Sequence, residues 1–545
     1  MCATQDPPTP ALFFDDAEAL GDVRTTCGSR AKNYIIEVNG GGLALCDFDG
    51  DGDLDLLVVD GSTLEREASG EPGFPPRLML NDGGGKFSPA PESWAMSAGR
   101  WGMGCAVGDV DGDGWLDVYV TQWGGDRMFT NRDGRGFTDV SSRWIPNSGR
   151  WGTSAAFLDY DRDGRLDLYV VNYLAFDPKT ISPPGGGCTW KGHPVMCGPE
   201  GLTPVHDQLL RNVGLMLTDR LGFSDASAAA KVRPEEAGFG LGVTTLDYDG
   251  DGDTDLYVAN DSTPNFLWEN QGDGTFREVG LARGVAYDMN GKEQAGMGIA
   301  AGDVNGDGRE DLFVTNFSGE SNALYLSKGG VAYSERAGPA GLGGPSITRL
   351  GWGTALEDFD LDGNLDAFVL NGHVYPQADL FGTDTSYAQA AQLFRGDAKG
   401  RFATEPLLDG PPLVLRASSV GDIDGDGDVD IAAIELDGRV RIFRNRLERS
   451  AKEGPHWLTV RLRSPDGNRF ALGGRVWVEW EGGARVREIR TSGGFQSSIE
   501  PQAHFGLGKA RVARRVRAQW PTGEVLELED VAVDRVLTLE RPKSR

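Results

Sequence analysis

Residues 47–55 read DFDGDGDLD, five aspartates in nine residues. Like charges at such spacing repel one another, so something must neutralise the segment. The phrase returns at Asp109 (DVDGDGWLD), Asp159 (DYDRDGRLD), Asp247 (DYDGDGDTD), Asp303 (DVNGDGRED), Asp358 (DFDLDGNLD) and Asp422 (DIDGDGDVD), at intervals of 62, 50, 88, 56, 55 and 64 residues. Seven copies at this period mean one supersecondary unit used seven times.

The flanks repeat with the loops. An aromatic residue or Met among small residues precedes most of them (WGMGCAVG, WGTSAAFL, FGLGVTTL, MGIAAG, WGTALE), and a β-rich run follows (LDLYVVN, TDLYVAN, EDLFVTN). A third strand then leads to a glycine turn and an aromatic, as in FLWENQGDGTF. Strand, acidic turn, strand, loop, strand, turn, strand is a four-stranded unit of propeller-blade length. The seventh unit stops after VRIFRN (440–445), and LFFDDAEALG (12–21) supplies the strand that it lacks. The expected fold is an all-β, seven-bladed β-propeller over 12–445, closed by the N-terminal strand so that no sheet edge is left open.

Glycine stands at the sixth position of every loop (Gly52, Gly114, Gly164, Gly252, Gly308, Gly363, Gly427) and permits the sharp turn that points carboxylates inward. Oxygen ligands at positions 1, 3 and 5, a backbone carbonyl at 7 and a carboxylate at 9 suit Ca²⁺ better than Mg²⁺, which retains its waters. The expected ligands are Asp47, Asp49, Asp51, Asp53 and Asp55 in the first loop and Asp109, Asp111, Asp113, Trp115 and Asp117 in the second. The third offers Asp159, Asp161, Asp163, Arg165 and Asp167, and the fourth Asp247, Asp249, Asp251, Asp253 and Asp255. The fifth offers Asp303, Asn305, Asp307, Arg309 and Asp311, with Asn305 making it the weakest. The sixth offers Asp358, Asp360, Asp362, Asn364 and Asp366, and the seventh Asp422, Asp424, Asp426, Asp428 and Asp430. An EF-hand needs an acidic twelfth residue, and these loops carry Val or Ala there, so it is excluded. Up to seven structural Ca²⁺ are expected.

These units resemble FG-GAP repeats, the calcium-binding blades of integrin α-chain propellers. SGGFQSSIEPQAHFGLGKARVARRVRAQWPTGE (492–524), with its HFGLG and WPTG elements, resembles the ASPIC/UnbV domain. That pattern has tyrosine where this chain has Phe495. Proteins of this combination are secreted or surface proteins, and the resemblance implies the same here.

Bulk composition agrees. The net charge of −29 divides into +5 over 456–545 and −34 over 1–455, and the acidic loops hold 30 aspartates. Such a charge repels phosphate and excludes nucleic acid as a partner. No stretch approaches the ~18 apolar residues of a membrane span. Composition shifts near 450, which sets the expected organisation: a tether over 1–11, the propeller over 12–445, a linker over 446–455 and a small β-sandwich-like domain over 456–545, whose WLTVRLR, RVWVEWEG and RRVRAQW alternate as strands. The start MCATQDPPTP has no signal-peptide core. Met-Cys before a Pro-rich tether matches a trimmed bacterial lipoprotein, which makes Cys2 a possible lipid anchor.

All seven acidic loops are expected on one face, leaving the longest opposite loops (60–77, 172–208 and 371–391) to bind a ligand. In 172–208, Cys188 and Cys197 are placed to form a disulfide, with a metal site including His193 and His206 as the alternative. Polar residues end each second strand (Asp60, Gln122, Asn172, Asn260, Asn316, Asn371, Glu435), either as a ring that receives a ligand or as local caps bonding to backbone. Asn172, Asn260, Asn316, Asn371, His373 and Tyr375 are the candidate ligand contacts, and His373 is the weak catalytic candidate. Trp101, Trp151, Phe239, Met297 and Trp352 recur once per unit and are read as packing between blades. The RGD at 395–397 is discounted as a three-residue match in a turn. No nucleophile motif, nucleotide loop or acid/base pair is visible. The function expected is an extracellular or surface-anchored binding or adhesion module for protein or carbohydrate. The alternative is a calcium-stabilised propeller enzyme (lyase, hydratase or glycan-processing) with its site at the channel mouth.

Overall fold

The computed structural model describes residues 11–146, 148–181, 186–214, 222–447 and 454–542. Cys2, the tether except Ala11 and most of the linker lie outside them. The chain is all-β in character and propeller-like. Seven sheets each hold one acidic loop, and that loop always joins the first strand of its sheet to the second, as Gly240–Leu246 is joined to Asp255–Asn260. Sheets are numbered below by their loops.

First and second strands are buried along almost their whole length, whereas fourth strands such as Phe87–Pro89 bury one residue and expose the rest. A strand covered on both faces reads as a continuous apolar run rather than an alternating one, and this is why WGMGCAVG and LDLYVVN show no period of two. First strands of successive sheets touch one another, and that of sheet 7 (Leu415–Gly421) touches that of sheet 1 (Leu43–Cys46). Phe13–Asp15 pairs antiparallel with Val440–Asn445 and is the outermost strand of sheet 7.

An asparagine at the end of the third strand fastens most sheets to their predecessors. Asn131 Nδ2 donates to Phe48 O in sheet 1 at 2.9 Å, Asn212 Nδ2 to Val110 O in sheet 2 at 3.0 Å, and Asn270 Nδ2 to Tyr160 O in sheet 3 at 2.9 Å. Asn445 Nδ2 reaches Phe359 O in sheet 6 at 2.8 Å, and Asn81 Nδ2 reaches Ile423 O in sheet 7 at 2.8 Å. Sheets 5 and 6 carry Ser327 and Gly396 at this place and have no such amide. The signal lay in MLN, FTN, LRN, WEN and FRN before the glycine turns, which the loop-centred reading passed over.

The C-terminal residues form a sandwich of a three-stranded sheet around His456–Arg463 and a four-stranded sheet around Arg475–Trp480. Residues 491–499 leave the sandwich and enter the centre of the seven sheets. Ser497–Ile499 runs parallel to Leu43–Cys46, Gly494 exchanges backbone bonds with Ile299, and Cys105 N donates to Gln496 O at 3.1 Å. Phe495 is fully buried with its ring edge-on to Trp352 at 4.9 Å. A Cβ on Gly42 would stand 1.8 Å from Gln496 O, so the small residues of the first strands make room for this insertion. The central channel, at whose mouth the alternative enzyme site was expected, is thus filled by this segment from the acidic-loop side.

Two outcomes test this architecture. Asn131→Ala leaves the Phe48 carbonyl buried without its donor and is expected to lower stability by about 1–3 kcal/mol, while the exposed Asn290→Ala changes little; thermal melts of both variants check it. Phe495→Ala removes a fully buried ring, with an expected cost of about 3–5 kcal/mol, and calorimetry should show the C-terminal sandwich melting as a separate transition.

Candidate functional site

Each acidic loop is built the same way. The first Asp accepts from the N–H of the sixth-position Gly in all seven, at 2.8–3.1 Å. Those glycines have φ between 82° and 102°, a region open to glycine and strained for other residues. The ninth Asp opens the second strand, and one of its oxygens accepts from the end of the third strand: Asp117 from Asn131 N at 2.8 Å, Asp255 from Asn270 N at 2.7 Å, Asp311 from Ser327 N at 2.7 Å. Carboxylates 1, 3 and 9 place oxygens within 4.8 Å of one another in loops 1, 2, 3 and 6, as do carboxylates 1, 3 and 5 in loop 4.

Burial pushes Asp55, Asp311, Asp366 and Asp430 up to about 8, and Asp117, Asp167 and Asp255 well above the ordinary range. Ionised carboxylates are therefore costly here unless a cation shares the site. Protein cations serve some loops. Arg211 pairs with Asp161 at 2.6 Å, Arg162 with Asp253 at 2.8 Å, Arg395 with Asp360 at 2.9 Å and Arg444 with Asp430 at 3.1 Å. Among the described ion pairs, loops 1, 2 and 5 have no such partner. The all-oxygen donor set fits a hard metal ion, and loops 1 and 2, with three clustered carboxylates and no arginine, fit it best.

The C-terminal sandwich covers this face. Arg475 pairs with Asp247 at 3.1 Å, Arg485 donates to Asn364 Oδ1 at 2.8 Å, Glu500 accepts from Asp47 N at 3.1 Å, and His504 bonds Gly427 O at 3.1 Å. The positive balance of the domain is spent partly on the acidic face.

On the opposite face lies a cavity of about 490 Å³. Loops 172–208 and 371–391 meet there, joined by His193 Nε2 with Phe381 O at 3.0 Å and by a Lys191–Asp384 ion pair. Cys188 and Cys197 form a disulfide that closes the hairpin carrying Trp190, so the alternative metal site with His193 and His206 is set aside. Tyr173, Trp190, Phe317, Trp352 and Tyr375 give the wall its aromatic surface; Asp261, Glu320 and Glu200 give it carboxylates. Ile35, Asn39, Asp261 and Glu320 were not foreseen, because they come from connections of three other units whose convergence is invisible along the chain.

Of the candidate ligand contacts, only Tyr375 lines this cavity. His373 is fully buried beneath Trp190 (4.6 Å between rings), its Nδ1 accepts from Tyr375 N, and burial with the charge of Arg416 pushes it down to about 3. It is a neutral packing anchor. Asn172, Asn260, Asn316 and Asn371 are buried and donate to loop carbonyls, Asn260 to Pro264 O at 2.6 Å and Asn316 to Ser321 O at 2.8 Å. They cap their own strands rather than face a ligand at an open rim. Trp101, Trp151, Phe239, Met297 and Trp352 do pack, in one central cluster with Ile36 and Phe495, and Met297 and Trp352 also reach the cavity. The RGD arginine, Arg395, lies in a strand and is engaged by Asp360, Asp366 and Glu405.

Loop 60–77 borders a separate polar groove with Arg100, Asp126 and Arg127.

The model for the FG-GAP-like repeat matches residues 47–120, 109–170, 247–314 and 303–369, and the model for ASPIC and UnbV matches 464–545. Cartilage acidic protein 1 of Mus musculus is 31% identical over 319 residues, covering 56% of this chain and 45% of the relative; that of Homo sapiens is 30% identical, covering 56% and 44%. The chain thus spans about half the length of the curated relatives that it matches. Among solved structures, an Agrocybe aegerita lectin that recognises non-reducing terminal N-acetylglucosamine is 14% identical with TM-score 0.41, covering 73% of this chain and 86% of its own. YCF48 bound to D1 peptide is 9% identical with TM-score 0.41, covering 81% and 99%. The chain therefore joins FG-GAP-like repeats to a C-terminal ASPIC and UnbV domain.

Proposed function

We propose that the chain is an extracellular calcium-stabilised propeller of seven blades, closed by Phe13–Asp15, that binds a protein or carbohydrate ligand through the cavity opposite its acidic loops. The observation that carries this reading is the division of faces: one is covered by the C-terminal sandwich, while the other presents an aromatic and acidic cavity built from inserted loops. Concave, largely apolar sites with a few polar groups are where ligands bind. Closure is supported by the Asn81 bond to Ile423 O, which repeats at the last joint the bond used at others. The extracellular setting is supported by the Cys188–Cys197 disulfide, and lipidation at Cys2 is the surface-anchored form of the same proposal. A catalytic reading loses its candidate, since His373 is buried and neutral.

Calcium occupancy has a pH signature. Without a cation, the ninth-position carboxyls near 8 bind protons more tightly in the folded chain than unfolded, where the ordinary value is 3.8. Their protonated form favours folding, so stability is lost as pH rises from about 4 through about 8. In chelator, the melting temperature is expected to fall between pH 5 and pH 8. Millimolar Ca²⁺ should reverse this most at the upper end, by about 1.4 kcal/mol per site if Kd is about 10⁻⁴ M. A melting temperature at pH 8 indifferent to chelator removes calcium from the reading. The binding half is checked by a glycan and surface-protein screen in Ca²⁺, in which a true ligand is retained by the wild type and lost in Trp190→Ala.

A further inference from the structure

The cavity is unbalanced in charge. Among the described residues, its wall contains Asp261, Glu320 and Glu200 but no lysine, arginine or histidine. Asp261 accepts from Tyr173 Oη at 2.5 Å and from Ser262 Oγ at 2.9 Å, and Glu320 accepts from Ala295 N at 2.9 Å, so neutral donors hold both carboxylates. Burial, with the charge of Asp261 adding to it, pushes Glu320 up to about 7 against the pull of that N–H. Two fixed cations border the wall without lining it: Arg416, bound to Val38 O, Gly372 O and His373 O, stacks over Trp352 at 4.2 Å, and Lys191, paired with Asp384, stands 5.0 Å over the Trp190 ring.

A second observation is independent of charge. Asn39 lines the cavity with 3% of its surface exposed, and its Nδ2 has no hydrogen-bond partner. A buried amide donor left unpaired costs free energy that a bound acceptor recovers.

We propose that this cavity binds an organic ammonium group, held against the aromatic wall by Asp261 and Glu320, with an oxygen acceptor of the same ligand taking the Asn39 Nδ2 hydrogen. Carboxylates together with aromatic surface favour an alkylammonium over a neutral group of equal shape, because the ring quadrupole and the fixed negative charge both attract the cation as it is desolvated. With no basic side chain among the described residues of the wall, the same charge disfavours anionic ligands. The proposal rests on the binding reading above and names the chemical group recognised.

The test is titration of the full chain at pH 8 in Ca²⁺, read by calorimetry and by tryptophan fluorescence. The probes are choline, tetramethylammonium, Nα-acetyl-lysine amide and the neutral choline isostere 3,3-dimethylbutan-1-ol. Choline is expected to bind about tenfold or more tightly than the neutral isostere, and more tightly than tetramethylammonium, which lacks the acceptor. Choline above the lysine amide identifies a free quaternary ammonium as the source, and the reverse order identifies a lysine side chain. Glu320→Gln, which keeps the shape and can still accept from Ala295 N, should weaken the preferred cation about fivefold with the melting temperature unchanged. Asn39→Leu should abolish the advantage of choline over tetramethylammonium. Equal affinity for the neutral isostere, no saturable binding of any cation, or a Glu320→Gln variant of unaltered affinity overturns the proposal. If the cations fail while a screen ligand still depends on Trp190, the ammonium assignment alone falls; if screen ligands are indifferent to Trp190, the cavity reading falls with it.

Discussion

The ninth aspartate of each acidic loop is the residue on which the rest of the architecture depends. It opens the second strand, lies buried, and ties its own loop to the third strand through backbone N–H groups, as Asp117 does with Val110 N and Asn131 N. Where an asparagine follows at that third-strand end, its amide reaches the preceding sheet. Loop, strand and neighbouring sheet are thereby set by one bonded chain, Asp117 to Asn131 to Phe48 O. A carboxylate in that position is expensive to keep ionised, and the remaining aspartates of the loop make it more so. The loops differ in what meets this cost. Loops 3, 4, 6 and 7 bring arginines to the cluster, while loops 1 and 2 hold clustered carboxylates with no arginine among the described ion pairs. Repeats that look equivalent along the chain are therefore electrostatically distinct.

The same loops decide which face is free. Their exposed backbone and charge form the platform on which the C-terminal sandwich rests, and the segment 491–499 passes between them into the centre. Its glycines and serines suit that path. Gly494 takes a left-handed φ of 66° where it bonds Ile299, and the segment's serine hydroxyls bond inner-strand backbone, Ser498 Oγ donating to Cys105 O at 3.3 Å and Ser492 Oγ accepting from Thr245 N at 3.1 Å. Phe495 then closes the apolar cluster formed by one large side chain from each of five sheets. With the centre filled and one face covered, the inserted loops of the other face hold the large concave surface with aromatic walls.

Much of this was legible in the chain because it is local. A glycine three residues after the second aspartate of the loop, an aspartate opening each second strand and the strand-forming runs around them are fixed by short-range sterics and hydrogen bonding, and they repeat. The Cys188–Cys197 pair is local in the same sense, its partners nine positions apart and bridging one hairpin. His373, a weak catalytic candidate along the chain, shows the opposite case. A histidine beside a tyrosine in a long loop reads as exposed chemistry, and only the packing of Trp190 and Phe317 from two other units over it makes it neutral and inaccessible.

By itself, then, the sequence determined the repeat unit, the acidic turn and its glycine, the sheet-forming runs, the missing outer strand of the last unit and the separate C-terminal sandwich. The tertiary structure alone decided that the signature segment of the sandwich fills the centre, that arginines pair with the carboxylates of some loops and not of others, and that Asn39, Asp261, Glu320 and Trp190 share one cavity. The physical reason is range. Turn geometry and strand propensity act over a few residues and are written in the order of the chain, whereas burial, charge pairing and cavity shape depend on residues brought together from hundreds of positions apart.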